Sequence, residues 1–198
     1  MGDPVATNIL KSNATVWYAP AGEALPDETS VAAGGDWGGN WERIGYTAAP
    51  LIWTLTDERA VIEVQEERIA LDEYGTRFES MLATELSELT ADYLALLMGG
   101  TVSTTSAGAS QKGYEQLDID PGFILTKYII GFEGVRQIAD GSNQPLRVFA
   151  EKSTFKINGD VEFDSKSDTY TRLPIMLRVL KGTNYALRFQ RVTAAAMS

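Results

Sequence analysis

Apolar and polar residues alternate over short stretches along most of the chain, and clusters of Gly, Asn, Asp and Ser separate the stretches. A period of two with frequent turn residues predicts strands of a sandwich or barrel. Strands are expected near Ala14 to Tyr18, Trp41 to Tyr46, Leu51 to Thr56, Ala60 to Arg68, Thr76 to Leu86, Phe123 to Phe132, Leu146 to Ala150, Ser153 to Ile157, Val161 to Ser165, Tyr170 to Leu180 and Asn184 to Val192. One stretch has a different period. In SELTADYLALLMGG, Leu86, Leu89, Tyr93, Leu96 and Leu97 recur at three- and four-residue steps, with Thr90 placed as an N-cap, Asp92 in the first turn and Gly99 as a stop. This predicts one amphipathic helix lying against a sheet and closing its core. The expected class is mainly β, a β-sandwich or barrel-like fold with one flanking α-helix and long loop and arm extensions, in one domain spanning 1–198.

Two stretches lack the large apolar side chains a core requires: Ala19 to Asn40, rich in Gly and Pro, and Gly99 to Gly113, GGTVSTTSAGASQKG. With the arm Met1 to Asn13 they are expected either to be disordered or to become ordered against a neighbouring subunit. The stretch KSTFKINGDVEFDSK reads as a hairpin. A three-residue loop Asn158-Gly159-Asp160 would oppose Ile157 to Val161 and Phe155 to Phe163, whereas a two-residue loop would set Ile157 against Asp160.

Composition narrows the chemistry. The 198 residues include no cysteine and no histidine, which removes disulfides, thiolate or imidazole zinc sites and Ser-His or Cys-His nucleophiles. No nucleotide-binding glycine loop, GxSxG, HExxH or EF-hand string occurs. Asp118 with Asp120, and the series Asp160, Glu162, Asp164, Asp168, could seat a hard cation, but the second series has a period of two and reads as a solvated strand face. Paired carboxylates of a glycoside hydrolase are weighed against the 27 acidic residues, among which chance pairs abound. The expectation is no enzyme, no metal and no cofactor. No apolar run reaches the roughly 18 residues of a membrane span, and the first ten residues do not read as a secretory signal. Residues 1–100 hold 5 Lys/Arg against 17 Asp/Glu, and residues 101–198 hold 12 against 10. Such a chain does not grip nucleic acid, which needs a basic stripe; its acidic half suits a surface that keeps DNA off.

The arrangement resembles the major tail tube proteins of long, non-contractile-tailed bacteriophages and their prophage or gene-transfer relatives. The residues that carry the likeness are ATVWYAP leading into a loop, then WERIGYT, AVIEVQEER and YGTRFESMLATELSELT, the helix TADYLALLMGG, and near the end VFAEKSTFKINGDVEFDSK and YTRLPIMLRVL. The resemblance implies a structural protein of the virion tail, made in the host cytoplasm. It also implies hexameric rings whose inner sheets join into a β-barrel lumen, and stacking of those rings through arms and loops. The partners it implies are other copies of the chain, a tape-measure protein, a tail terminator, tail-tip proteins, and double-stranded DNA passing without specific binding.

On that footing Glu63, Glu67, Glu79 and Glu85, from a stretch (57–92) with 11 Asp/Glu against 3 Lys/Arg, are candidates for an acidic lumen, with a solvated outer face as the alternative. Asp3, Pro4, Ile9 and Leu10 of the arm, with Trp37 and Trp41 beside Gly38-Gly39-Asn40, are candidates for contact between subunits. Two rival functions stay open at this point. One is the inner tube of a contractile tail or secretion system. The other is a carbohydrate-binding β-sandwich, which would stack sugars on an exposed Trp37 or Trp41.

Overall fold

The computed structural model describes residues 14–27, 31–62, 72–119, 125–137, 143–161 and 172–191. Their elements are β1 (Thr15–Pro20), β2 (Glu42–Arg43), β3 (Ile52–Ile62), β4 (Asp72–Leu86), α1 (Ala91–Met98), β5 (Thr101–Thr105), β6 (Tyr114–Asp118), β7 (Tyr128–Gln137), β8 (Asn143–Ile157), β9 (Leu173–Val179) and β10 (Leu187–Arg191). All pairings between these strands are antiparallel. The main sheet runs β2-β1-β7-β8-β9-β4-β3, with β10 also on β8.

The long strand β8 divides that sheet in two. One of its edges pairs with β7 along Asn143 to Ser153; the other carries first β10, at Leu146 to Ala150, and then β9, at Ser153 to Ile157. Between the pairs Ile130↔Ala150 and Tyr128↔Ser153 the two strands fall out of step by one residue, so β8 bulges at Glu151-Lys152. A bulge bends its strand and reverses the side-chain alternation. Ala150 before it and Phe155 after it thereby reach the same core. A first sheet (β2-β1-β7-β8-β10) supplies Val16, Ile130 and Ala150 to this core, a second (β8-β9-β4-β3) supplies Leu82, Leu86, Phe155, Leu173, Ile175 and Leu177, and α1 adds Leu97. The fold is a β-sandwich with one helix.

The helix ends where its residues dictate. The Thr90 hydroxyl accepts a bond from the Tyr93 N–H, and Gly99, at φ 76°, donates its N–H to the Ala95 carbonyl. A positive φ of that kind favours glycine.

Several expectations are corrected. The separate strands at Leu51 to Thr56 and Ala60 to Arg68 are one strand as far as Ile62, and those at Leu146 to Ala150 and Ser153 to Ile157 are one strand, β8. In both places the break in alternation coincides with a register shift. Gly99 to Gly113 is no plain loop, because Thr101–Thr105 pairs with Tyr114–Asp118 as a two-stranded sheet beside α1. Thr and Val favour extended backbone without a large apolar side chain. On one edge of β8, Ile157 opposes Ile175 and Phe155 opposes Leu177. The apolar partners thus come from a later strand; Phe163 lies outside the described residues, and Val161 is in no strand.

Candidate assembly surfaces

The outward face of the first sheet is covered from within the same chain. Trp17 and Ala19 of β1, Ile129 of β7 and Phe149 of β8 form a second core under the segment that follows β1, which folds Trp37 and Trp41 onto them. Trp17 and Trp37 stack at 5.2 Å, and Trp37 meets Trp41 edge-on at 4.9 Å and Phe149 at 5.4 Å. Gly131 lies under the Trp37 ring, where an added Cβ would stand 2.6 Å from the ring and 2.9 Å from Phe149. The Trp41 indole N–H donates to the Ala24 carbonyl at 2.8 Å.

This overturns the exposed-anchor expectation for Trp37 and Trp41. They are 4% and 6% exposed, because the glycines beside them let the chain turn their rings onto its own sheet. A sugar-stacking platform on either ring is excluded with it. Part of the segment predicted to be disordered, or ordered only by a neighbour, is anchored on its own subunit, through Leu25, Val31 and Trp37.

A feature missed in the sequence holds that segment down. Glu133 and Arg147 are direct cross-strand partners on β7 and β8, their side chains 2% and 0% exposed, and Arg147 Nε donates to Glu133 Oε2 at 2.6 Å. Arg147 also donates to the Val31 carbonyl at 3.0 Å and sits 5.4 Å from the centre of the Trp37 ring. The Gly34 N–H donates to the other oxygen of Glu133. The only signal in the sequence is one charge in the middle of each of two otherwise apolar runs, YIIGFEGV and PLRVFA. A buried charge requires a partner, but sequence does not say which.

Among the described residues no element packs over the outer face of the second sheet, whose side chains on β4 are half-buried. On β4, Ser80, Leu82, Thr84 and Leu86 point into the sandwich, while Glu79, Met81, Ala83 and Glu85 point out. Glu79 is held between Arg77 and Arg178, at 2.7 Å from each; Glu85 pairs with Arg172 at 3.2 Å, and Arg77 also reaches Glu58 at 3.1 Å. Glu79 and Glu85 therefore share one face, as their spacing predicts, but as members of ion pairs. Glu63 and Glu67, and Asp3, Pro4, Ile9 and Leu10, lie outside the described residues.

Two edges of this sheet are open. Among the described residues β3 has a neighbour on one side only, along Ile52–Ile62, and Thr154–Ile157 of β8 pairs with β9 alone. Long open edges invite pairing with another chain. The far part of the β3–β4 ribbon is exposed on both faces, beyond the reach of the core.

Nothing in the described residues gathers three or more acidic side chains as a metal would require, and no described helix is long and apolar enough to cross a membrane. Of the acids considered for a cation, Asp118 instead accepts a bond from Gln116 at 2.9 Å; Asp120, Glu162, Asp164 and Asp168 lie outside the described residues.

A comparison with curated proteins finds no match. The profile of a family described as "Phage tail tube protein" matches residues 5–195, nearly the whole chain. That family is structural and non-enzymatic, its members are components of the virion tail, and they assemble with themselves into the tube. The chain belongs to the phage tail tube protein family.

Proposed function

We propose that this chain forms closed rings of six subunits, stacked end to end into a tail tube, and that the outer face of the second sheet lines the lumen through which DNA passes during ejection. The observation that carries this reading is the four-stranded antiparallel sheet β8-β9-β4-β3, whose edges, Ile52–Ile62 of β3 and Thr154–Ile157 of β8, have no further strand partner among the described residues. Four is an even number, so the edge strands β3 and β8 run in opposite directions. Rotation about a ring axis leaves strand directions unchanged, and β3 of one subunit then meets β8 of the next as an antiparallel pair, like every other joint in the sheet. Closure removes the edges that would otherwise template aggregation.

The size is compatible with the role. Six such sheets make a barrel of about 24 strands; with strands about 4.8 Å apart and tilted about 40°, the backbone diameter is about 48 Å. Side chains narrow that by about 10 Å and leave room for a duplex. On the lumen face, Glu79 and Glu85 are paired with arginines, so the described part of the wall is close to electrically neutral. Such a wall offers phosphate no basic stripe to hold. Glu63 and Glu67 would add acid to the same lumen. Tape-measure, terminator and tip proteins would meet the lumen and the two ends of the tube.

Electron microscopy of the purified protein at rising concentration tests this. Hollow tubes or six-fold rings are expected, and particles that stay single at every concentration would contradict it.

A further inference from the structure

We infer that Leu55 and Phe78, with the exposed flank of Trp53, form a seat for a second copy of this chain in the tube wall; this rests on the tube reading above. The register pairs Trp53 with Leu82, Leu55 with Ser80 and Asp57 with Phe78. These side chains therefore share the face that, nearer the helix, carries the buried Leu82 and Leu86. Trp53 is the last of them to be covered: its ring meets Phe132 at 5.3 Å and its N–H donates to the Ser80 hydroxyl. Past it the same face continues uncovered, with Leu55 51% and Phe78 56% exposed, and ends at an ion cluster in which Arg59 pairs with Asp57 and Glu73.

The opposite face of the ribbon, at the same level, carries Thr54, Thr56, Glu58, Arg77 and Glu79. At this level one face of the ribbon is polar and the other carries Leu55 and Phe78 beside Asp57, with no described residue covering the pair. A two-stranded ribbon is marginal in water, and an aromatic and a leucine side by side on its surface call for cover. The lumen does not supply it, because the patch lies on the side of the sheet away from the face assigned to the lumen. The patch adjoins the open edge of β3, and the molecule brought to that edge by ring closure is another copy of this chain.

The test compares the full-length protein with Phe78→Asp and Phe78→Leu. The critical concentration for assembly is read by sedimentation and microscopy, and the Tm is measured on unassembled subunits. Phe78→Asp is expected to raise the critical concentration at least about tenfold, Phe78→Leu to stay near the parent, and Phe78→Asp to keep its Tm within about 2 °C, as at an open surface position. Assembly of Phe78→Asp at the parent's concentration would overturn the seat and leave the tube intact. A fall in subunit Tm of more than about 5 °C would place a segment of the same chain on the patch and overturn it too. Failure of the parent protein to assemble at any concentration would overturn the tube reading and the seat together.

Discussion

Replacing Arg147 with Met tests how the tryptophan-bearing segment is held to the sheet. The substitution keeps an unbranched side chain of similar length in a fully buried position and removes the guanidinium that donates to Glu133 and to the Val31 carbonyl. It leaves a carboxylate with its side chain 2% exposed, facing the Gly34 N–H as its remaining neutral donor. Removing one partner of a buried pair costs about 3–5 kcal/mol, mostly as the penalty on the orphaned charge. In a domain of this size that is a fall in Tm of about 6–20 °C. The double variant Arg147→Met, Glu133→Leu has no orphaned charge. It loses the bonds to the covering segment at about 1 kcal/mol each and should stand about 1–2 kcal/mol below the parent, above the single variant. Urea unfolding followed by tryptophan fluorescence measures all three proteins, with Glu133→Leu completing the cycle. A single variant that loses less than about 1 kcal/mol, or a double variant no better than the single, would refute the buried clamp.

Three further outcomes follow from particular contacts. Gly131→Ala places a Cβ against the Trp37 and Phe149 rings and should cost about 1–3 kcal/mol by overpacking, read as a lower urea midpoint with an unchanged slope. Thr90→Ala removes the bond to the Tyr93 N–H and should cost about 1 kcal/mol, seen in the same assay. The third concerns alkaline pH: burial first, and the bond to Glu42 next, push the Tyr18 hydroxyl well above its ordinary value of 10, and burial also raises Tyr93 and Tyr185. A phenol whose folded pKa is raised contributes stability that is fully present below pH 10 and lost as pH climbs past it. The phenolate absorbance of Tyr18, Tyr93 and Tyr185 should therefore rise late and together with unfolding; ionisation of these three near pH 10 in the still-folded protein would contradict this.

Much of the fold was legible in the chain because alternation and capping are local properties. The helix from Thr90 to Gly99 follows from one hydroxyl, one glycine and the apolar Tyr93, Leu96 and Leu97 between them; Leu86 and Leu89, expected in the same period, lie before it, Leu86 as the end of β4. The two places where alternation breaks, near Glu58 and near Glu151, were also visible, but bulge and turn leave the same mark in a sequence. The partner of Phe155 and Ile157 was illegible for a related reason. Nothing local to Phe155 and Ile157 points to Leu177 and Ile175, which only the packed sandwich brings opposite them.

Legibility was poorest where the candidate surfaces depend on distant contacts. Trp37 and Trp41 sit among glycines and small residues, a composition equally suited to an exposed loop; Trp37 is buried in the hollow over Gly131, on a strand about 90 residues later, and Trp41 packs on Trp37 and Phe149. The acids of β4 could be assigned to one face by parity. Their arginine partners could not all be, because Arg77 lies nearby on β4 itself but Arg172 and Arg178 reach them from near and on β9. The tube wall inherits this: its charge is decided by which strands meet, and not by the acid count of one segment.

The most direct measurement is a cryo-electron microscopy map of the assembled tube at a resolution that traces strands. The expected map has β3 of each subunit paired antiparallel with Thr154–Ile157 of the next, with Glu79 and Arg178 facing the lumen. A wall in which both edges stay unpaired, or in which that face turns outward, would contradict the assembly proposed for this chain.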